Sequence, residues 1–231
     1  MAAPDLSKQS IQTLPLENGD RLSRNEFERR YSAMPHIKKA ELVAGIVYMA
    51  SPLRIDRHGY PHTIIMTWLG TYQIATPGLI AGDNATVRLD HDNELQPDGL
   101  LMIITDGQAS ISTDGYVEGA PELIVEVAAS SASIDLHNKL EIYRHNRVQE
   151  YLVWRVYEKE FDWFRLQNEA YKQMPADEAG IVQSEVFPGL WLAKEALLSG
   201  NFAKVLEVLQ QGLATSVHQD FVGQLQLTQT Q

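Results

Sequence analysis

The pattern of apolar and polar positions is clearest between Pro121 and Trp154. Leu123 to Ala128 is a nearly unbroken apolar run, the signature of a strand covered on both faces. Glu126 interrupts it, and a charge in such a run costs several kcal/mol by order of magnitude unless a cation compensates it. A polar turn follows, and then a helical pattern in which Leu136, Leu140 and Tyr143 form one stripe. Lys139 falls on that same stripe. Val148 to Trp154 reads as a second strand. Upstream, Pro97 and Asp98 introduce another apolar run, Leu100 to Ile104. Two acids and a lysine therefore sit at the edges of the most core-like segments of the chain.

The rest of the pattern supplies the surrounding elements. Residues 1–20 are polar and aperiodic and read as a flexible arm. Ser23 and Glu26 have capping-box spacing and predict a helix to about Tyr31, closed by Pro35. Ala40 to Ala50 reads as a β-hairpin turning at Ala44-Gly45. Residues 51–60 read as a polar loop, and Pro61 opens a helix that stops at Thr76-Pro77-Gly78. Short strands are predicted at Leu79 to Ala81, Ala85 to Leu89 and Gly99 to Ile104, and residues 108–120 read as loop. A hairpin turns at Glu158-Lys159 and returns as Phe161 to Leu166. Residues 167–184 are loop with room for one short strand. Phe187 to Trp191 reads as an apolar plug. From Ala193 onward the pattern is helical. The expected division is an arm over 1–20, a domain over 21–192 and a helical extension over 193–231.

Composition narrows the function. With 231 residues the chain holds one large α/β domain with or without an appendage. It has no cysteine, which excludes disulfides, thiolate metal sites and a thiol nucleophile. No apolar run approaches the length of a membrane span, and the first residues lack the features of a signal peptide, which points to the cytoplasm. The formal net charge of −11 argues against a surface that attracts nucleic acid everywhere. It leaves room for a local basic groove, for which Arg21, Arg24, Arg29, Arg30, Lys38 and Lys39 are the candidates; a solvated helix face is the alternative.

Asp98 and Glu126, projected from neighbouring strands, can share a hard divalent cation such as Mg²⁺. Such an ion acidifies water and stabilises charge on a phosphate, and a nearby lysine can orient that water. The structural alternative is that Asp98 caps a turn and Glu126 pairs with a buried base. Glu122 shares the strand face of Glu126 and rivals it, though its place at the strand entrance suits an exposed role. Glu41 can complete the acidic cluster or serve as a cross-strand partner. His58 and His62 have zinc-like spacing, but Gly59 and Pro61 argue against a continuous helix there. Ser130, Ser131 and Ser133 lack a nucleophile elbow and read as turn and cap residues. No nucleotide-binding glycine motif occurs.

Several pieces together resemble a known family. Ala40 to Gly45 with Ser51-Pro52, Gln96-Pro97-Asp98, Pro121 to Val127, Asp135-Leu136 with Lys139 and Tyr143, and Val148 with Glu150-Tyr151 resemble the Uma-type restriction endonucleases. These form a branch of the PD-(D/E)XK nuclease superfamily. The resemblance implies an α/β, restriction-endonuclease-like fold: a mixed central β-sheet flanked by helices, here with a helical C-terminal extension. It also implies Mg²⁺- or Mn²⁺-dependent hydrolysis of phosphodiester bonds in DNA. Asp98 matches the motif aspartate and Glu126 the second acid. Ala128 stands where the superfamily pattern has lysine, and Lys139 on the following helix takes its place. The expected site is Asp98 and Glu126 on the metal, Lys139 placing the attacking water, and Glu41 assisting. A homodimer is expected, with the C-terminal helices and their Phe202, Val205, Leu206 and Leu209 either as its contact or packed on their own domain. The rival expectation is a catalytically silent, dimeric interaction protein that keeps the nuclease fold.

Overall fold

The structure, a computed structural model, describes residues 13–49, 52–129 and 135–229. Its centre is a six-stranded mixed sheet built from β3 (Leu79–Asp83), β6 (Gly99–Ile103), β9 (Leu123–Ala128), β10 (Glu150–Arg155), β11 (Glu160–Gln167) and β12 (Ala170–Gln173). They lie side by side in the order β3, β6, β9, β10, β11, β12. β9 and β10 run parallel, as a crossover through the Lys139 helix requires, and the other neighbours are antiparallel. All residues of β9 are buried, in keeping with its apolar run.

A second six-stranded sheet lies against one side of the first. It contains β1 (Ala40–Val43), β2 (Ile46–Met49), β4 (Val87–Arg88), β5 (Glu94–Leu95), β7 (Ser110–Ile111) and β8 (Val117–Glu118). The β1–β2 hairpin turns at Ala44 and Gly45, both with positive φ, the backbone such a two-residue turn demands. The segment expected as loop over 108–120 contains β7 and β8. β13 (Ile181–Gln183) and β14 (Trp191–Ala193) form a small third pair.

Among the described residues, six helices cover these sheets: α1 (Arg24–Ser32), α2 (Tyr60–Ala75), α3 (Leu140–His145), α4 (Lys194–Leu198), α5 (Phe202–Leu213) and α6 (Ser216–Gln229). The expected capping box of α1 does not form, because Arg29 and Arg30 both draw the Glu26 carboxylate to themselves. A wide π turn over Ile55–Gly59 runs straight into α2, and another over Asp135–Lys139 runs into α3. The first replaces the loop expected before Pro61. Among the described residues, no helix is long and apolar enough to cross a membrane.

Two hydrophobic clusters meet on opposite faces of β9. Leu123, Val125 and Val127 pack against α2, α5 and the Phe187 segment. Ile124 and Ala128 face the second sheet and Tyr143. The described part of the arm is not loose, since Leu16 is buried beside Phe27 and Val47. The C-terminal helices also join the core: Leu197, Val205, Leu209 and Leu225 are buried with Trp68 and Tyr72. Trp68 donates to the carbonyl of Trp191, and Tyr72 to that of Pro188. Of the two roles expected for α5, a dimer contact or packing on its own domain, Val205 and Leu209 take the second. An amphipathic stripe looks the same whether its partner is a second copy or the same chain, and here Val205 and Leu209 are spent on the chain's own core.

Candidate active site

The site lies in the seam between the two sheets, on the β9 face that carries Ile124 and Ala128. The antiparallel register pairs Gly99 with Val125, and continuing it by one residue sets Asp98 across from Glu126. Asp98 Oδ2 accepts the backbone N–H of Val127 at 2.7 Å. Glu126 Oε1 accepts from Lys139 Nζ at 2.9 Å and from the Tyr143 hydroxyl at 3.0 Å. The ammonium also reaches Glu41 Oε1 at 3.3 Å and lies 3.7 Å from Asp135 Oδ1. Glu41 is itself fixed by the N–H of Gln96 at 2.8 Å. The structure thus brings together Asp98, Glu126, Lys139 and Glu41, with Lys139 pointing inward along the apolar stripe of its helix. Asp98, Glu126, Asp135 and Lys139 are buried.

One participant was not foreseen. The π turn before α2 carries His58 into the seam, where Nε2 lies 3.2 Å from Asp98 Oδ1 and Nδ1 3.1 Å from the carbonyl oxygen of Val127. An imidazole facing a carboxylate on one side and a carbonyl on the other meets only acceptors, which favours the doubly protonated ring. Its pKa is raised accordingly, chiefly by the Asp98 hydrogen bond. His62 stacks on His58 and meets the backbone carbonyl of Asp98. The histidine spacing was the available signal. Gly59 and Pro61 pointed away from it because a wide π turn was not among the conformations expected there.

Electrostatics explain why the cluster is unusual. Four carboxylates, those of Glu41, Asp98, Glu126 and Asp135, surround two direct cationic contacts, Lys139 and His58. Burial, reinforced by Asp135, Asp98 and Glu41, pushes Glu126 up to about 8 despite the attraction of Lys139. Burial opposes the Lys139 charge, but Glu126, Glu41 and Asp135 hold its pKa well above the ordinary value. Burial also works against the Asp98 charge; the hydrogen bond and charge of His58 outweigh it and leave Asp98 below the ordinary carboxylate value.

Among the described residues, no three His, Asp or Glu side chains converge as a ready-made metal cage. A Mg²⁺ ion does not need one, because it commonly takes one or two carboxylates and keeps several waters. Asp98, Glu126 and the Val127 carbonyl are all oxygen donors, the kind a hard divalent cation takes.

The other candidates separate from this group. Glu122 is buried and accepts the N–H groups of Ile103 and Gln108, one on each oxygen. His137 and His145 are exposed. Arg24, Arg29 and Arg30 pair with Glu28, Glu26 and Asp20, so these three arginines are neutralised within the chain, while Lys39 donates to the Gln96 carbonyl and to Asn84 and acts on Asp98. Ser130, Ser131 and Ser133 lie outside the described residues.

Comparison with known proteins agrees with this arrangement at the level of fold. The crystal structure of a putative nuclease of DUF820 from Anabaena variabilis ATCC 29413 is similar, with a TM-score of 0.56 at 12% identity, covering 74% of this chain and 96% of that one. No curated protein matches the chain. Residues 24–195 match the Uma2 family, described as putative restriction endonuclease. That match spans all the strands and the whole acid–lysine cluster, and the chain belongs to the Uma2 family.

Proposed function

We propose that this protein is a divalent-metal-dependent DNA endonuclease. The observation that carries the reading is the excess of carboxylates in the seam: among the described residues, Asp98, Glu126 and Asp135, all buried, and the half-buried Glu41 face two cations in direct contact, Lys139 and His58, with Lys39 acting on Asp98 from further away. A fold gains nothing from such an excess, since a buried pair is already weak support for stability. A cation-binding reaction centre explains it.

Asp98 and Glu126 are assigned to hold Mg²⁺ or Mn²⁺, with the Val127 carbonyl beside them. When bound, such an ion supplies an acidified water and a counter-charge for the phosphate. Lys139 stays an ammonium, so it is not the general base. Its hydrogen bonds go to Glu126 and Glu41, with Asp135 Oδ1 at 3.7 Å; of these three acids Asp135 holds it least closely, and the proton on that side is assigned to orient the attacking water or a phosphate oxygen. Glu41, anchored by Gln96, is a positioning residue for that ammonium. His58 keeps Asp98 ionised and aimed at the same place. Cutting both strands of a duplex calls for two such sites, and a two-fold dimer would present them, through a surface other than the buried face of α5.

The test is nicking of supercoiled plasmid across Mg²⁺, Mn²⁺, Ca²⁺ and chelator. Nicking by the parent with Mg²⁺ or Mn²⁺, abolished by chelator and by Asp98→Asn, is expected. Nicking by Asp98→Asn at the parent rate would remove the assignment.

A further inference from the structure

The turn that delivers His58 also builds a surface on its other side. Arg57, the preceding residue, lays its guanidinium over the ring of Tyr157 at 4.5 Å from the centroid. Tyr157 follows Val156, whose N–H bonds the carbonyl of Ala128 at the end of β9. Ala128 is two residues beyond Glu126. From the strand register, which pairs Glu126 with Val153, Tyr157 lies four residues further along, so the Arg57–Tyr157 pair stands roughly 14 Å from Glu126. Both side chains are open to solvent: Tyr157 is 49% exposed and the Arg57 side chain 43%. Leu53, Ile55 and Tyr60 on the same segment are exposed as well. Large apolar side chains gathered at the rim of a site mark a contact surface.

We propose that Tyr157, braced by Arg57, is a stacking platform for an unpaired nucleotide next to the scissile phosphate, so that the substrate is single-stranded or locally unpaired DNA. This rests on the nuclease reading above and adds the substrate class. An exposed phenol ring takes the π-face of any base, provided that base is not held in a duplex stack. Arg57 covers one face of the ring and can turn its charge to the backbone beside it. Asp56, 2.8 Å from Arg57, offsets part of that charge; stacking therefore carries more of the contact than charge does. Elsewhere Arg24, Arg29 and Arg30 are held in internal pairs, and the net charge is −11. The Arg57–Tyr157 rim combines an aromatic face, a cation and the reaction centre in one place.

The test is fluorescence anisotropy of a labelled single-stranded oligonucleotide and its blunt duplex with Ca²⁺ in place of Mg²⁺. The parent is expected to bind the single strand more tightly than the duplex. Tyr157→Ala is expected to lose about tenfold in single-strand affinity, the scale of one stacked base, while Tyr157→Phe keeps it. Arg57→Gln is expected to weaken binding less. Calorimetric Mn²⁺ binding is expected to stay at the parent value in all three, which also reports an intact fold. A parent that binds neither oligonucleotide, a Tyr157→Ala variant that binds like the parent, or a Tyr157→Phe variant as weak as Tyr157→Ala would overturn the proposal. So would a dimer in light scattering that Tyr157→Ala dissociates, since the face would then join two copies. The nuclease reading fails separately, on the Asp98→Asn nicking result, whatever the anisotropy shows.

Discussion

Two glutamates on adjacent parallel strands, Glu126 on β9 and Glu150 on β10, are equally hidden from solvent and differ in almost everything else. Glu150 receives four donors: Trp163 Nε1 and the Ser184 hydroxyl on one oxygen, the N–H groups of Glu185 and Val186 on the other. It ties the strand to the loop before Phe187, and its needs are met by neutral groups. The described donors to Glu126 converge on one oxygen, and three other acids surround it. Burial alone does not mark a reaction centre. A buried carboxylate whose donors are neutral and complete is a rivet. One whose surroundings repeat its own charge is asking for a cation.

The sharpest way to break this contrast is to neutralise each acid. Asp98→Asn and Glu126→Gln are expected to abolish divalent-metal binding in calorimetry and to lower nicking by about a hundredfold or more, with stability within about 1 kcal/mol of the parent, because the amides keep the shape. Unchanged Mg²⁺ affinity in either variant would show that the two acids do not share an ion. Glu150→Ala should do the reverse. It leaves a hydroxyl, an indole N–H and two amides without their acceptor, and a loss of about 3–5 kcal/mol is expected in urea unfolding. Metal affinity at temperatures where the variant is folded should match the parent's.

Lys139→Met tests the centre of the cluster. It removes the ammonium that Glu126, Glu41 and Asp135 share, and a loss of about 3 kcal/mol near pH 8 is expected. Without the attraction of Lys139, Glu126 titrates still further above its unfolded value, so the folded state holds an extra proton between the unfolded and folded pKa values. Stability then falls as pH rises through that window and recovers toward pH 5. A pH-independent loss would mean that the lysine acts through packing alone. The smallest effect is expected far from the site, at His218. It is buried, with Nδ1 against the Leu213 carbonyl and Nε2 against Thr76 Oγ1. Burial lowers its pKa. The stability it contributes is present above the ordinary histidine value and is lost as pH falls through the lowered one. Hydrogen-exchange protection in α6, taken relative to the intrinsic exchange rate at each pH, should fall modestly at pH 5.5 compared with pH 7.5, and His218→Asn should flatten that response.

Much of this contrast can be read from the residues. A charge inside an apolar run, as at Glu126, and a lysine on an apolar helical stripe are physical anomalies, and both lead to the cluster. Glu150 was less legible as a structural acid because its donors come from residues 163 and 184–186, which no local pattern connects to it. His58 was hidden by the reading of Gly59 and Pro61 as breakers. The second sheet was largely hidden because β4, β5, β7 and β8 are two residues each, too short for any period. The stripe on α5 was visible, but amphipathicity says only that a helix has a partner and not which one.

The burial of the C-terminal helices also has a consequence in time. Trp68 on α2 meets a carbonyl 123 residues later, and Thr76 meets His218 across 142 residues. Helix α2 continues the turn that holds His58, so one wall of the seam is secured by chain made more than a hundred residues later. Contacts at such separation are slow to form because loop closure must precede them. Early in synthesis the acids are already on the chain, but the apolar bed under α2 stays open until α5 and α6 arrive.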